Sequence, residues 1–600
     1  MAAALLAVCC VKADPEVTPD EPDEPEVVDD DYEATINFSN GTSFDLGGDK
    51  DSEVLVRFSV DHEWTLKSVD KQEQTWLEPS KTSGNSSKAV KLTFKATEDN
   101  GYEERTAKFK IYSGASSKKF TITQSGKCLV LTADDVPEMA RYYKPQEFDF
   151  DMLRSDSKWS WVRSKHTEHV VVFWDKQYGE YGLYGSELGI EDTWPTTAKS
   201  SSMKVDIDDL LQKAEEYYEM NVNTLKFCDV GEGKSVLDDY MFEIYILYQS
   251  EWLATGSGYD NSVGALWVNP STCQPVGSTI AHEIGHAFQY MTFCDWLKGK
   301  GITGSAALNA SGLQGPGWRY GFGNKGDGGC AWWEQCAQWQ SFQTFSKAHD
   351  YKAEAFSSYY SSEFFSSTRL HIIHPRPRYA NYFIQWWWCQ QNDISFIGKL
   401  WRNAEYPEDP CETYMRLMGY DTAQFNDSMW EYAAHCMTFD FDEVRSYGKN
   451  YIGKTAISAN NLKEDGEYWR ITDQYAPETT GSNAFLMTSA AGKTVTADFN
   501  GLFSMTGSKY IAGSATLAGW RYGFVSYNSD GSTTYSDIFS DNEGTATFDV
   551  PSDSKKLWFV VSGAPKNYER KSWVDSNEED TQDNKWPWEA KFTGTKPNGK

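Results

Sequence analysis

Residues Ala281 to Tyr290 read Ala-His-Glu-Ile-Gly-His-Ala-Phe-Gln-Tyr, and the pentad His282-Glu283-Ile284-Gly285-His286 inside them demands a helix. At 3.6 residues per turn His282 and His286 stand one above the other on one face, so both imidazoles can reach a single metal ion. Ile280, Ile284, Ala287 and Phe288 recur three and four residues apart, which buries the helix against a core and turns the histidines to a cleft. The flanks agree with this reading. Gly264 to Val268 has the character of a short strand closed by Asn269-Pro270, and Gly277-Ser278 is an N-cap signal. His-Glu-x-x-His on a helix is a Zn2+ pattern: His282 and His286 are metal ligands, and Glu283 is placed to take a proton from a water whose pKa the metal lowers.

Length and charge narrow the setting. Six hundred residues with a 40% hydrophobic fraction suggest three or four domains with sizeable cores. A net charge of −31 excludes nucleic acid as a partner, because a polyanion is repelled over the whole surface, and favours a soluble secreted or surface protein. Aromatic content of 15%, with 24 tryptophans, suits stacking on sugar faces and equally suits large aromatic cores. Nine of the eleven cysteines fall between Cys128 and Cys436, in neither a disulfide framework nor a zinc-ribbon spacing.

Five segments follow from patterning. Residues 1–12 are a short apolar run that resembles a bacterial lipoprotein signal, with Cys9 or Cys10 as the lipidated residue. Residues 13–33 are acidic and proline-punctuated, too charged to fold, and are read as a tether. There is no run of about 18 apolar residues, so membrane attachment is expected only through a lipid anchor, on a secreted or outer-membrane cell-surface lipoprotein. Residues 34–126 alternate apolar and polar positions between Gly, Asn and Ser turns, as a β-sandwich does. Their landmarks are His62-Glu63-Trp64, Thr75-Trp76-Leu77-Glu78-Pro79-Ser80, Ser83-Gly84, Glu104-Arg105-Thr106-Ala107 and Ile122-Thr123-Gln124-Ser125-Gly126. Together they resemble a BACON domain, an immunoglobulin-like module common in secreted Bacteroidetes proteins, which implies either a spacer or a glycan-binding role.

Residues 127–449 are read as a mixed α/β segment passing into helices, and residues 450–600 as a C-terminal β-sandwich. His169 to Trp174 reads as a buried strand, Ile207 to Met220 as an amphipathic helix and Phe242 to Tyr248 as a second strand, followed by an edge strand at 264–268 and the motif helix. This order is similar to the N-terminal part of a zincin, in which an extended substrate pairs with the edge strand. A Gly-rich stretch from Lys298 to Gly329 is expected to loop beside the cleft. Gly-Trp-Arg-Tyr-Gly-Phe occurs at Gly317 to Phe322 and again at Gly519 to Phe524.

Two histidines leave a catalytic zinc site incomplete. The metzincin continuation needs Gly at 289 and His at 292, where the chain has Gln289 and Thr292. The gluzincin solution is a later helical glutamate. Glu334, in Trp333-Glu334-Gln335-Cys336-Ala337, is the expected third ligand, with Asp295 and Asp327 as weaker substitutes. Donors to a developing oxyanion are sought in His371-Ile372-Ile373-His374-Pro375-Arg376-Pro377-Arg378-Tyr379, with His374 and Tyr379 taken as catalytic candidates beside His371 and Tyr382. Arg376 or Arg378 is a candidate for an acidic substrate terminus.

Gln289, Glu334 and the closing Val560-Val561-Ser562-Gly563-Ala564-Pro565 resemble an uncharacterised family of secreted bacterial gluzincin-like proteins. A weaker similarity runs to enhancin-like, mucin-degrading metallopeptidases. The resemblance implies a zinc metallopeptidase acting on extracellular proteins or mucin-type glycoproteins. One alternative is a non-enzymatic glycan-binding or adhesion protein with a vestigial zincin domain, against which the intact Glu283 speaks. The other is a glycan-active hydrolase, which would need paired carboxylates across a cleft.

Overall fold

Parallel strands are covered on both faces and need unbroken apolar sequence, which Val170–Trp174 and Phe242–Ile246 supply, every residue buried. The computed structural model describes residues 31–70, 74–189, 193–311, 329–343, 345–346, 349–357, 359–502, 517–571 and 584–599. It divides into two compact units: residues 1–130 with 154–156 and 183–192, and residues 131–153 with 157–182 and 193–600. The signal-like segment, all but the last three residues of the acidic tether, the first Gly-Trp-Arg-Tyr-Gly-Phe copy and Asp327 lie outside the described residues.

The first unit holds two sheets. One runs β1 (Ile36–Phe38), β3 (Glu53–Val60), β7 (Ser87–Ala96), β5 (Leu77–Pro79); the other runs β2 (Ser43–Leu46), β9 (Ser116–Gln124), β8 (Arg105–Ser113), β4 (Trp64–Ser68), β6 (Ser83–Gly84). Alternation along the strands sends Val56 and Phe58, Leu92 and Phe94, Phe109 and Ile111, and Phe120 and Ile122 into one core. Trp64 is buried in it, and Arg105 covers the Trp76 ring with its guanidinium 4.5 Å from the centroid. The sandwich expected over 34–126 is therefore present.

The second unit opens with a five-stranded sheet in the order β10 (Ser164–His166), β11 (Val170–Trp174), β12 (Phe242–Ile246), β14 (Val263–Val268), β13 (Ala254–Tyr259). β11, β12 and β14 are parallel, while β10 and β13 run antiparallel at the edges. Helix α1 (Ile207–Glu219), capped by Asp206, and helix α2 (Ser278–Gly299), the motif helix, pack on this sheet. The 264–268 strand is thus internal, and the edge belongs to β13. Its Ala-Thr-Gly-Ser-Gly-Tyr sequence lacks an apolar alternation, which hides it from a periodicity argument. The available signal was Asp260-Asn261, both left-handed (φ 53° and 54°), which turn β13 back on β14 as a hairpin.

β13 lies against α2 because Gly256 has no side chain. A Cβ there would sit 1.8 Å from the carbonyl oxygen of Glu283. Beyond α2, part of the stretch expected to loop is helical, as α3 (Gly304–Ser311), and α4 (Gly329–Gln343) packs on α2. A two-residue ladder of β15 (Phe345–Ser346) and β16 (His349–Asp350) leads to α5 (Glu354–Ser357), α6 (Tyr359–Ser367), α7 (Phe383–Gln390), α8 (Phe396–Arg402), α9 (Pro410–Met418) and α10 (Thr422–His435).

Two further sheets close the chain. They run β17 (Leu462–Asp465), β18 (Tyr468–Ile471), β25 (Trp588–Thr593), β20 (Thr494–Gly501), β23 (Glu543–Asp549), and β19 (Ser482–Leu486), β24 (Ser554–Gly563), β21 (Trp520–Asn528), β22 (Thr533–Tyr535). The second Gly-Trp-Arg-Tyr-Gly-Phe copy opens β21, sending Trp520, Tyr522 and Phe524 into the core while Arg521 pairs with Asp427 of α10 at 2.5 Å. The C-terminal sandwich is present but forms one unit with the preceding helices. The physical reason is α10, whose Trp430, Ala434 and neighbouring Met437 share a core with Val525 and Val560, the Trp430 indole donating to the Val560 carbonyl at 3.1 Å.

Gly256→Ala tests the β13 contact. Overpacking should cost about 1–3 kcal/mol and lower the thermal midpoint, whereas Thr255→Ala at the exposed neighbour should stay within about 0.5 kcal/mol of the parent. Equal midpoints for the two variants would contradict the packing argument.

Candidate metal centre

Helix α2 presents the histidines and α4 presents the glutamate. Gly285 faces α4, where a Cβ would already stand 3.3 Å from the Ala337 Cα, so its bare backbone lets α4 come close. Across this contact Nε2 of His286 lies 3.1 Å from Nε2 of His282 and 3.1 Å from Oε2 of Glu334, and His282 Nε2 lies 3.3 Å from the same oxygen. Three atoms bound tetrahedrally to zinc at about 2.0–2.2 Å would be separated by about 3.3–3.6 Å, close to these distances. The triangle fits such an ion, and a His2Glu donor set leaves a fourth position open, as catalytic sites do.

Electrostatics point the same way. Burial works against a charged His286, yet the Glu334 carboxylate, Glu283 and Gln289 together outweigh it and lift that imidazole to about 9. Burial likewise opposes ionisation of Glu334, but the two imidazoles hold it well below the usual carboxylate range. A half-buried anion beside two buried basic nitrogens is a place for a cation.

The surrounding cleft is open to solvent. Glu283 lines it, one oxygen (Oε2) held by the Gly256 amide at 2.8 Å. Tyr379 lines it too; burial and the nearby Glu334 carboxylate push its phenol far above the usual value. Its ring stacks on Tyr360 (5.3 Å, 22°) and lies 5.9 Å from the His282 ring. Five of the six expected site residues, His282, Glu283, His286, Glu334 and Tyr379, therefore share one cleft. Tyr360, Glu354 and Trp252 join them from segments without any motif, and only the tertiary fold brings them in.

His374 does not join them. It is buried in a turn in which its amide donates to the His371 carbonyl (2.8 Å) and its Nδ1 accepts from the Arg376 amide (3.0 Å). Burial, with the positive charges of Lys571, Arg376, Arg369 and Lys585, drives it down to about 3. His371 is equally buried, its amide donating to Glu478 (2.8 Å) and its Nδ1 accepting from the Ile373 amide (3.2 Å). The His-Pro step expected at a cleft entrance is an internal turn whose imidazoles satisfy local backbone donors. Asp295 is also elsewhere, accepting from the Ser235 hydroxyl (3.0 Å) and the Val236 amide (2.7 Å). Tyr382 is buried, donating to the Ala355 carbonyl at 2.7 Å. Of the two arginines, Arg378 lies 5.7 Å over the Tyr379 ring.

A second grouping, His169, Glu215 and Glu219, has ligand atoms within 4.8 Å of one another. Glu215 there already bonds His169 Nδ1 and accepts from the Thr167 hydroxyl (2.5 Å) and the His169 amide (3.3 Å), an arrangement that ties α1 to β11.

Comparison with known proteins gives the chain its family but no activity. No curated protein matches it. Among solved structures it shows slight likeness to a Bacteroides ovatus GH5 xyloglucanase in complex with a XXXG heptasaccharide (10% identity, 44% of this chain and 63% of that one, TM-score 0.16). Others are a protein from Bacteroides thetaiotaomicron (13%, 18% and 96%, 0.11) and domains 4 and 5 of the S-layer protein SbsC (14%, 15% and 51%, 0.12). The chain thus spans about half of the S-layer structure and under two thirds of the xyloglucanase, and these likenesses are too slight to bear on the site. Residues 65–125 match the BACON model, described as a putative binding domain, N-terminal. Residues 135–599, the whole stretch from the cleft-bearing sheet to the C-terminal sandwich, match a single model, and the chain belongs to that family, the family of unknown function DUF6055.

Proposed function

We propose that the chain is a zinc-dependent hydrolase of gluzincin type that cleaves peptide bonds in extracellular proteins or glycoproteins. The observation that carries this reading is the convergence of His282, His286 and Glu334 on one point, beside Glu283, in a cleft rimmed by an edge strand. Those three residues would hold the ion. Zinc supplies Lewis acidity there, lowering the pKa of water and polarising a carbonyl.

The chain's own groups do the rest. Glu283 is steadied by the Gly256 amide at Oε2, which leaves Oε1 to take a proton from the attacking water. The water oxygen bonds to the scissile carbonyl carbon, the C–N bond breaks, and Glu283 passes its proton to the leaving nitrogen. Tyr379, kept protonated by burial and by Glu334, is the donor at hand for the developing oxyanion. An extended substrate would add to the outer edge of β13, the strand that runs alongside the motif helix. At the rim Trp252 is 64% exposed, a flat apolar face for a substrate side chain or sugar.

A BACON module is typical of extracellular or surface proteins, and no helix among the described residues is long and apolar enough to cross a membrane. We infer a surface location in which Cys9 or Cys10 carries a lipid and the acidic tether holds the folded units away from the bilayer. The BACON module then serves as a spacer or a glycan contact.

Incubation with casein and mucin after metal analysis tests the assignment. Glu283→Gln should keep stoichiometric zinc and lose about 10²- to 10⁴-fold in kcat. Parent protein that is zinc-free and inert would sink the reading. Glu334→Ala should lose the metal itself, and full zinc retention in that variant would remove Glu334 from the ligand set. Trp252→Ala should raise KM several-fold at unchanged kcat, whereas a fall in kcat alone would place Trp252 outside ground-state binding.

A further inference from the structure

One turn beyond His286, the side chain of Gln289 is fully buried, an expensive position for an amide unless each of its atoms is bonded. Its Oε1 lies 3.1 Å from Nδ1 of His286. Its Nε2 donates to the Trp333 carbonyl at 3.1 Å and to Oε1 of Gln340 at 3.0 Å. Gln340 in turn donates to Oδ1 of Asn221 (2.7 Å), and Asn221 donates to the Tyr217 carbonyl in α1 (2.9 Å). Gln340 and Asn221 are both about 1% exposed.

The relay ends on backbone carbonyls, which only accept, so the orientation of every amide along it is determined. Gln289 must direct its oxygen at His286. In the neutral ring, the form that binds a metal, that makes Nδ1 of His286 the protonated nitrogen and leaves the lone pair on Nε2, the atom that faces Glu334 and His282. The same amide grips the carbonyl of Trp333, the residue immediately before Glu334. His282 has no equivalent support: its Nδ1 is buried without a hydrogen-bond partner among the described residues.

We propose that Gln289 is the positioning residue of the metal centre, selecting the ligating tautomer of His286 and setting the register of α4 so that Glu334 meets the histidines. This rests on the zinc reading above. In the sequence Gln289 rules out the metzincin continuation and marks the gluzincin-like resemblance, whereas in the fold it has a task of its own. Asn221 and Gln340, 119 residues apart, become parts of the same device.

The test is zinc affinity measured by chelator competition on the full chain, with the Co2+ absorption spectrum as a second readout. Gln289→Leu, which removes both acceptor and donor, should lower zinc affinity about 10- to 100-fold and weaken the tetrahedral Co2+ bands. Gln289→Glu keeps the acceptor for Nδ1–H but loses the donor to the Trp333 carbonyl and Gln340, so its affinity should fall between those of the parent and Gln289→Leu. Gln289→Leu at parental affinity, or Gln289→Glu binding zinc more weakly than Gln289→Leu, overturns the proposal. If Gln289→Leu does not fold, Gln340→Met, which cuts the relay one residue further out, should still lower affinity several-fold, and no change there overturns it. Parent protein that takes up no zinc refutes the zinc reading together with this one, whereas zinc-loaded parent and unaffected variants refute this one alone.

Discussion

The contact between α2 and α4 is the constraint on which the rest of the centre depends. Glu334 is half-buried between two imidazoles, where a carboxylate loses part of its hydration, so its position is favoured by positive charge at the same point. The helices can bring the three ligand atoms within 3.1–3.3 Å because Gly285 keeps no side chain in the seam. On the other side of α2, Gly256 lets the edge strand press its amide onto Glu283. Two bare positions therefore gather Glu334, Glu283 and the edge strand β13 around one helix.

The aromatic richness of the chain resolves mostly into packing. Trp174, Trp332, Trp386, Trp388, Trp430 and Trp520 are all fully buried, and they fill the sheet, the helical layer and the C-terminal sandwich. The same packing explains why the helices and that sandwich form one unit: Trp430 is shared between them, and a domain boundary cannot pass through a common core. Trp252 stands apart, and its exposure beside the cleft separates it from this structural majority.

How far the chain could be read from its letters depended on the range of the interaction. The motif helix, the buried strands at Val170–Trp174 and Phe242–Ile246, the N-terminal sandwich and the helical setting of Glu334 all follow from local periodicity, and all are present. β13 escaped because glycine, serine and threonine give an edge strand no apolar signature, so the edge was assigned one strand too late. His374 misled because a His-Pro step signals extended backbone without saying whether that backbone faces solvent or core. Tyr379 came into the cleft from the same short segment that carried His374 away from it.

What the sequence by itself determined was chemistry at short spacing: two histidines and a glutamate on one helical face, and a later helical glutamate suited to join them. What only the tertiary structure decided was everything contributed across the chain. It placed Gly256 against Glu283, stacked Tyr360 on Tyr379, and joined Asn221, Gln340 and Gln289 behind His286. Spacing within a helix is a property of backbone geometry, so it is written in consecutive residues. Proximity between residues 119 apart is a property of packing, and no periodicity records it.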